Sequence, residues 1–269
     1  MAAAGSWLFA RAAGGRWLVR IEDLDTPRVV PGSADEILGT LRRYGFDWDG
    51  DVVRQSERTQ LYDAALAKLR DRGLVYECGC SRADIQRAAS APLGSEPIYP
   101  GTCRGRKPDV VRSIRFRAPD VTIAFNDLIA GRVEENVAGQ TGDFVVKRAG
   151  GPYAYQLAVV VDDAEQGVTQ VVRGGDLLSS TVRQIALQRA LDLPTPEYAH
   201  LPLVVGADGS KLGKRDGALP LATLDVPATL SAALRILGIE ATSLEEALDH
   251  FDPKRVPINS VTVRLNASG

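Results

Sequence analysis

A short loop carries the most suggestive chemistry in this chain. Residues 209–217 read GSKLGKRDG and place Lys211, Lys214 and Arg215 between glycines, directly after an apolar run. Glycine lets a backbone approach a ligand closely, and the three cations supply point charges and a planar fork for phosphoryl oxygens. The pattern is therefore typical of a loop that closes on a polyphosphate. Spacing alone favours the simpler interpretation, a basic surface hairpin turned by the Asp-Gly step at 208–209.

A second chemical feature is a group of cysteines. Cys78, Cys80 and Cys103 are the three cysteines of the chain. An odd number cannot all pair with one another, and such clustering in a cytosolic protein indicates metal binding rather than disulfides. The alternative is that they are small buried apolar side chains, because free cysteine is often fully buried.

Zinc in a structural site takes four ligands in a tetrahedron, so a fourth group is needed. Both histidines, His200 and His250, are far away in the sequence. The fourth ligand is therefore expected to be an oxygen, and three residues near the cysteines could supply it: Tyr99, Asp84 and Glu96.

Charged side chains follow three apolar runs. Glu22, Asp162 and Arg173 each stand at or just beyond the end of a run with strand-like composition. In doubly wound α/β domains, ligands sit beyond the carboxyl ends of the parallel strands. We therefore expect these side chains and the lysine loop to lie at one edge of a sheet.

The elements that would hold these residues alternate between strands and helices. Strand-like runs cover residues 17–21, 157–161, 168–172 and 201–205. The run 157–161 is apolar throughout, which predicts a strand buried on both faces. One helix is predicted near the N-terminus. A second begins at a capping box of Ser33 and Glu36, with Ile37, Leu38, Leu41 and Tyr44 on its inward face. Further helices are predicted around Leu61 to Leu69 and around Val182 to Ala190. This order predicts an α/β fold with a doubly wound parallel sheet.

Residues 76–125 break this pattern with cysteines, glycines and the short alternating runs 112–117 and 121–125, which predicts a small β-rich insertion. After Pro227 the chain reads as helical, with a stop at Gly238 and a capping box at Ser243 and Glu246. The predicted division is thus 1–75 and 126–225 for the two halves of the main domain, 76–125 for the insertion and 226–269 for a helical tail.

The composition is that of an ordinary globular chain. Its 269 residues are 45% hydrophobic and 25% charged, which excludes a disordered or membrane-spanning class and predicts a cytoplasmic protein, expected to be a monomer. A formal net charge of −2 means that any nucleic-acid partner must meet a local basic face. The candidate face comprises Arg104, Arg106, Lys107, Arg112, Arg115 and Arg117.

Taken in order, six motifs resemble the glutamyl-queuosine tRNA(Asp) synthetases, short paralogs of the catalytic domain of class I glutamyl-tRNA synthetase. The motifs are WLVRIEDLD at 17–25, CGC at 78–80 with YPGTC at 99–103, YAYQLAVVVDD at 153–163, QGVT at 166–169, VRGGD at 172–176 and KLGKR at 211–215. The resemblance covers nearly the whole chain. It implies a class I synthetase fold, a Rossmann-like doubly wound sheet with a small zinc-containing insertion that binds the acceptor end.

The resemblance also implies an activity and its partners. Enzymes of this family use ATP, with magnesium, to convert L-glutamate to glutamyl-adenylate. They then transfer the glutamyl group to the queuosine base of tRNA(Asp), a base at the wobble position rather than the 3′ end. The small insertion would hold one structural zinc ion.

The family's substrate residues transfer to this chain motif by motif. Glu22 would hold the substrate ammonium, Tyr155 would line the glutamate pocket and donate its hydroxyl, and Arg173 would clamp the side-chain carboxylate with its planar fork. Simpler interpretations are a surface acid for Glu22, a packing role for Tyr155, and a structural ion pair with Asp176 for Arg173.

The resemblance also assigns roles to the loop and the cysteines. Lys214, the second lysine of the family's mobile loop, would be catalytic, stabilising charge on the ATP phosphates as the adenylate forms, and Lys211 would share in ATP binding. Gly213 stands where the loop usually has serine, which removes one hydroxyl donor. For zinc, the resemblance selects Tyr99 as the oxygen ligand beside Cys78, Cys80 and Cys103.

One departure from the family concerns the start of the chain. The family's first strand, with its Arg-x-Ala-Pro-Ser-Pro pattern and following phosphate-binding histidine, has no counterpart, because residues 2–13 already match the helix that follows it. We expect either a longer natural protein or a degraded copy that binds tRNA without catalysis. A fragment of glutamyl-tRNA synthetase is a third interpretation, against which the short tail argues. An absent central strand is expected to expose the edges of its neighbours.

Overall fold

The fold is seen in a computed structural model, which describes residues 1–88, 97–206 and 221–262. Its helices are α1 (Ala2–Ala12), α2 (Ser33–Arg43), α3 (Thr59–Asp71), α4 (Arg82–Ala88), α5 (Tyr155–Glu165), α6 (Leu178–Leu191), α7 (Val226–Ile236) and α8 (Leu244–Asp249). Its strands are β1 (Arg20–Ile21), β2 (Val53–Arg54), β3 (Val75–Cys78), β4 (Ser113–Phe116), β5 (Thr122–Asp127), β6 (Gly131–Asn136), β7 (Phe144–Arg148), β8 (Gln170–Gly174), β9 (Glu197–Leu201), β10 (Val204–Val205) and β11 (Val261–Thr262).

These strands form mixed sheets rather than one parallel sheet. The largest has the order β6-β5-β9-β8, in which β5, β9 and β8 run parallel and β6 returns antiparallel to β5. The pairs β1-β2 and β10-β11 are parallel, and β3-β4-β7 is antiparallel. The predicted α/β class is confirmed, whereas the described strands form mixed sheets in place of the predicted single doubly wound parallel sheet.

The prediction of a strand over residues 157–161 was wrong. These residues lie in the middle of α5, and every residue from Leu157 to Asp163 is buried. A continuous apolar run of five residues has no period that separates a strand from a helix buried on all sides. Asp162 and Asp163 are therefore helical residues that lie inside the structure, and they do not mark the end of a strand.

Other predicted elements are present with shifted bounds. The strand expected at 17–21 narrows to β1, and the run 201–205 divides between the end of β9 and β10. Helix α2 begins at Ser33, but its N-cap is Gly32 with no side-chain cap, and Ile37 on its supposed inward face is 54% exposed. In the tail, Ser243 caps α8 as predicted, whereas β11 was not foreseen.

Helix α1 packs closely on the largest sheet. Its residues Ala4, Trp7, Leu8 and Phe9 are buried, and Gly5 lies against β9 so tightly that a Cβ there would be 2.5 Å from Leu201 Cδ1. A methyl group at this position would therefore force Leu201 to shift, so the close approach of helix and strand favours glycine. A second apolar core, on the α3, α5 and α6 side, contains Tyr62, Leu66, Leu157 and Leu187.

A cavity of about 1290 Å³ lies between the β1 pair and the edge of the largest sheet. Residues 15–23 line one side, and residues 166–172 line the other. Among the described residues, β1 pairs only with β2, and β8 pairs only with β9. Two strand edges thus face a common cavity, as the sequence led us to expect. In the same described part of the chain, no helix is long and apolar enough to cross a membrane.

Candidate active site

The centre of the candidate site is Arg173, the fourth residue of β8, which is 8% exposed. Its Nε donates to His200 Nε2 at 3.1 Å, and Nη1 donates to the Tyr155 hydroxyl at 3.3 Å. Its Nη2 donates to Thr181 Oγ1 at 2.8 Å and to the Leu177 carbonyl at 3.4 Å. Arginine has five N–H groups. Since one is used at Nε, one at Nη1 and two at Nη2, the second N–H of Nη1 has no partner among the described residues and can donate to a ligand.

Tyr155 stands beside this available N–H as the first residue of α5. Burial, with repulsion from Glu22, raises the pKa of Tyr155 even though Arg173 acts against the shift. The phenol therefore stays protonated at neutral pH, and because its oxygen accepts from Arg173, its own O–H is directed elsewhere. The structure thus offers two adjacent donors, the Nη1 N–H and the phenol O–H, in place of a fork from Arg173 alone. Tyr153, by contrast, packs its ring against Tyr62.

Sequence reasoning missed the residues that support Arg173. His200 on β9 and Asp127 at the end of β5 are both buried, and His200 Nδ1 lies 2.6 Å from Asp127 Oδ2. Burial opposes ionisation of Asp127, but the hydrogen bonds from His200 and from backbone N–H groups outweigh it and lower the pKa of this carboxyl. A histidine inside an apolar strand pattern was a usable signal, but nothing in the sequence indicated its partners.

Glu22 lies just after β1 with a side chain that is 40% exposed. Its Oε1 is 3.4 Å from Arg20 Nη2, and the same nitrogen is 2.8 Å from Asp163 Oδ1 on α5. Partial burial and repulsion from Asp163 and Asp162 raise the pKa of Glu22, against the attraction of Arg20. Arg20 therefore balances the negative charge of Glu22 only in part, and the Glu22 carboxylate favours a positively charged ligand. Its charge is also sensed by Tyr155, which relates it to the Arg173 side of the site.

Asp162 has a structural environment that differs from the predicted strand-end position. Its side chain is fully buried and accepts hydrogen bonds from Gln55, Arg58 and Tyr62 at 2.7 to 2.8 Å. Because its acceptor atoms are occupied by groups from the segment around α3, Asp162 joins α3 to α5. It has no oxygen directed to the ligand side comparable to that of Glu22.

The three cysteine sulfurs and the Tyr99 oxygen come together at the end of β3. The sulfurs of Cys78, Cys80 and Cys103 all lie within 4.8 Å of one another. The Tyr99 hydroxyl is 3.4 Å from Cys78 Sγ and 3.5 Å from Cys80 Sγ, and the Cys80 and Cys103 sulfurs are 3.5 Å apart. Tetrahedral zinc with Zn–S bonds of about 2.3 Å requires sulfurs roughly 3.8 Å apart. The group could therefore hold such a metal.

The alternative oxygen ligands differ in their surroundings. Asp84 accepts from the Ser81 backbone N–H and hydroxyl and pairs with Arg87, so its carboxylate is used at the start of α4. Glu96 lies outside the described residues.

The thiols of the cysteine group differ in pKa. Hydrogen bonds from Tyr99 and the Gly79 N–H overcome burial and lower the pKa of Cys103 to about 7, whereas burial raises the pKa of Cys80 to about 11.

Arg115 was predicted to belong to an exposed basic face, and this was wrong. The residue is 7% exposed, its Nε donates to Cys78 Sγ at 3.2 Å, and its guanidinium lies 4.0 Å from the centre of the Tyr99 ring. Its position on β4, paired with β3, directs it to the cysteines. Arg104 of the same predicted face forms an ion pair with the buried side chain of Asp143.

The lysine loop cannot be placed relative to these groups. Lys211, Lys214 and the rest of residues 209–217 lie outside the described residues, so their predicted roles stay predictions. Glu22, Tyr155 and Arg173, by contrast, come from separate elements and share one electrostatic environment.

Comparison with known proteins gives a consistent family. Residues 1–267 match the family of class I tRNA synthetases (E and Q), catalytic domain. A protein of Geobacter sulfurreducens named glutamyl-Q tRNA(Asp) synthetase is 53% identical over 279 residues, covering 96% of this chain and 88% of the relative. A protein of the same name from Pseudomonas aeruginosa is 48% identical over 270 residues, covering 96% and 89%.

Solved structures of glutamate-tRNA synthetases share the fold. That of Elizabethkingia anophelis superimposes with a TM-score of 0.81 at 26% identity, over 99% of this chain and 64% of that one. A glutamate tRNA ligase of Elizabethkingia meningosepticum, in complex with its amino acid, gives 0.80 at 26% identity, over 97% and 63%. The chain thus spans less than two thirds of these longer proteins. It belongs to the catalytic-domain family of the class I tRNA synthetases (E and Q), and within it to the glutamyl-Q tRNA(Asp) synthetases.

Proposed function

We propose that this chain activates L-glutamate with ATP and transfers the glutamyl group to the queuosine base of tRNA(Asp). Its family makes it a ligase of the aminoacyl-tRNA synthetase type, for which ATP use is expected. The relatives with about half of their residues identical carry the name of this activity. The physical question is whether the described residues suit glutamate.

The observation that carries the proposal is the pair of donors formed by Arg173 and Tyr155. The carboxylate of a glutamate side chain has two acceptor oxygens, and Arg173 and Tyr155 present an N–H and an O–H at groups 3.3 Å apart. Hydrogen bonds to a charged acceptor in a buried site are strong, and an amide side chain would place its own donors against these groups. The pair therefore favours glutamate over glutamine.

Glu22 would bind the other end of the substrate. Burial, with repulsion from Asp163 and Asp162, raises the pKa of Glu22 against the attraction of Arg20, and a substrate ammonium would stabilise the ionised carboxylate. With both ends of glutamate held, an α-carboxylate oxygen would attack the α-phosphorus of ATP, forming glutamyl-adenylate as the bond from that phosphorus to the pyrophosphate breaks. Lys211 and Lys214 would then stabilise the phosphate charge, with magnesium, in a displacement that depends chiefly on positioned cations.

We further propose a structural zinc ion bound by Cys78, Cys80, Tyr99 and Cys103. The close approach of three sulfurs and one phenol oxygen supports this assignment. Four protein ligands leave no open position, so the ion would stabilise the loop between β3 and β4. The predicted monomeric state and cytoplasmic location remain predictions.

Glutamate-dependent exchange between ATP and pyrophosphate tests the activation step. We expect exchange with glutamate and little with glutamine or aspartate. Arg173→Lys should lower kcat/KM for glutamate by about 100-fold, because losing a hydrogen bond to a charged group costs roughly 1.5–3 kcal/mol and lysine cannot keep the neighbouring contacts. The matched control is Arg132→Lys, since Arg132 is exposed on β6 and pairs with Glu134.

Transfer is tested separately with labelled glutamate and tRNA(Asp). Label should enter tRNA(Asp) that carries queuosine and should not enter the same tRNA without it. If the protein binds this tRNA but catalyses no exchange between ATP and pyrophosphate, the proposal is contradicted. That result would favour a degraded copy that binds tRNA without catalysis. Charging of the 3′ end of tRNA(Glu) would instead indicate a glutamyl-tRNA synthetase.

A further inference from the structure

Three buried polar side chains form a row across neighbouring strands of the largest sheet. Arg173 on β8 and His200 on β9 are register partners, and β9 also pairs with β5, whose last residue is Asp127. Their exposed fractions are 8%, 3% and 4%, so water does not compete for their contacts. The row leads from the interior of the sheet to the donor pair described above.

The hydrogen bonds of this row define the protonation of His200. The Nε of Arg173 always carries its proton and can only donate, so His200 Nε2, 3.1 Å away, must accept. The ring proton is then on Nδ1, where Asp127 Oδ2 accepts it at 2.6 Å. Asp127 is itself held by the backbone N–H groups of Ile129, Ala130 and His200. These hydrogen bonds therefore assign a single tautomer to the imidazole, with its proton on Nδ1.

Resting on the proposed glutamate site, we propose that His200, held by Asp127, is a positioning residue that aims Arg173 at the substrate carboxylate. The guanidinium is planar, so a bond at Nε and bonds at Nη2 determine the plane in which the available Nη1 N–H points. Without the acceptor on His200, the Arg173 side chain has one fewer constraint and a buried Nε–H without a partner. Glutamate binding then weakens although His200 does not touch the substrate.

The opposite tautomer would break this arrangement. An Nε2–H on His200 would face the Nε–H of Arg173, two donors at 3.1 Å. The nearby acceptor, Thr181 Oγ1 at 3.2 Å, already accepts from Arg173 Nη2. Asp127 excludes this state because its carboxylate accepts but cannot donate when ionised. The role of Asp127 is thus to keep the acceptor directed at Arg173.

The first test measures the tautomer without any substrate. The chain has two histidines, so nitrogen-15 NMR of wild type and His250→Asn assigns the ring signals of His200. We expect a neutral ring protonated at Nδ1, with a deshielded Arg173 Nε–H. A ring protonated at Nε2, or at both nitrogens, at pH 7.5 would overturn the proposal whether or not glutamate binds.

The second test compares two amide substitutions. Glutamine at 200 can place its carbonyl oxygen near the former Nε2, whereas asparagine reaches only the former Nδ1 position. His200→Gln should bind glutamate within about threefold of wild type, and His200→Asn should raise KM for glutamate about tenfold with kcat little changed. Both are measured by pyrophosphate exchange and by calorimetric binding of glutamate.

Melting temperatures distinguish a loss of Arg173 orientation from a general loss of stability. Both variants replace a buried ring by a smaller amide, so we expect similar losses of stability and a difference in KM only for asparagine. Equal KM values for the two variants would overturn the proposal. If wild type binds no glutamate, the proposed function fails by itself, while the NMR result still decides the arrangement of Asp127, His200 and Arg173.

Discussion

Arg115 illustrates how one buried charge can govern a metal site. Three thiolates around a Zn²⁺ ion leave one excess negative charge, and the Arg115 guanidinium donates directly to Cys78 Sγ. It also lies on the face of the Tyr99 ring, so it contacts two of the four proposed ligands. With the proposed zinc ion bound, Arg115 would balance the excess negative charge of the site and would orient both ligands.

We expect Arg115→Met to weaken zinc binding by about 10 to 100-fold, the usual effect of losing a group that supports metal ligands. The side-chain volume is largely retained, but the cation and its bond to Cys78 are lost. Affinity is measured by competition with a chromophoric zinc chelator at fixed pH.

The control is Arg106→Met, which makes the same substitution at an exposed position three residues after Cys103. Arg106→Met should bind zinc as wild type does. Equal affinities for the two variants would show that the contact of Arg115 with Cys78 has no part in metal binding.

At the residue scale, the sequence was informative where chemistry is carried by residue type. Glu22, Tyr155 and Arg173 were all proposed from motifs, and the structure joins Arg173 to Tyr155 by a hydrogen bond. Sequence reasoning did not identify His200 as a site residue. Its proposed role depends on the register of β8, β9 and β5, which cannot be read from the sequence. Arg115 was misinterpreted for the same reason, since exposure follows from the pairing of β4 with β3.

At the element scale, the main error was the strand expected at 157–161. Valine-rich composition favours strands, but in α5 the burial of every side from Leu157 to Asp163 overrides that preference. A helix with one apolar face was foreseen more accurately: α3 lies where its spacing indicated, with Tyr62, Leu66 and Leu69 buried. An amphipathic period identifies a helix, and full burial removes the period.

Helix α1 depends on Gly5 for its contact with β9. A methyl group at this position would meet Leu201 Cδ1 at 2.5 Å, and Leu201 is fully buried. Overpacking a core typically costs 1–3 kcal/mol, whereas replacing a helical glycine by alanine gains about 1 kcal/mol. We therefore expect Gly5→Ala to lower the free energy of unfolding by about 1 kcal/mol, measured by urea denaturation.

Gly39 provides the matched control for this substitution. It lies within α2, is exposed, and has nothing within 4 Å of an added Cβ. Gly39→Ala should therefore raise the free energy of unfolding by about 0.5–1 kcal/mol. If both substitutions stabilise the protein, the packing of α1 on β9 is looser than the structure indicates.

At the scale of the whole molecule, the buried carboxyls of Asp163 and Asp143 join separate elements, and their pKa values shift in opposite directions. Burial raises the pKa of Asp163, although Arg20 opposes the shift, and this pair links α5 to β1. Burial also opposes ionisation of Asp143, but bonds from Arg104, Tyr76 and the Ala118 N–H outweigh it and lower the pKa. Asp143 thereby joins Arg104, next to Cys103, to the sheet β3-β4-β7.

These shifts predict opposite pH dependences of stability. A carboxyl with a raised pKa binds its proton more tightly in the folded state, so Asp163 adds relative stability as pH falls through its folded pKa toward about 4. Asp143 stabilises the fold above about pH 4, and this contribution is lost as pH falls through its lower folded pKa. The difference in unfolding free energy, wild type minus Asp163→Asn, should thus grow between pH 7 and 4, while that for Asp143→Asn should shrink below pH 4. Urea denaturation across this range measures both, and parallel pH profiles for the two variants would contradict the opposed shifts.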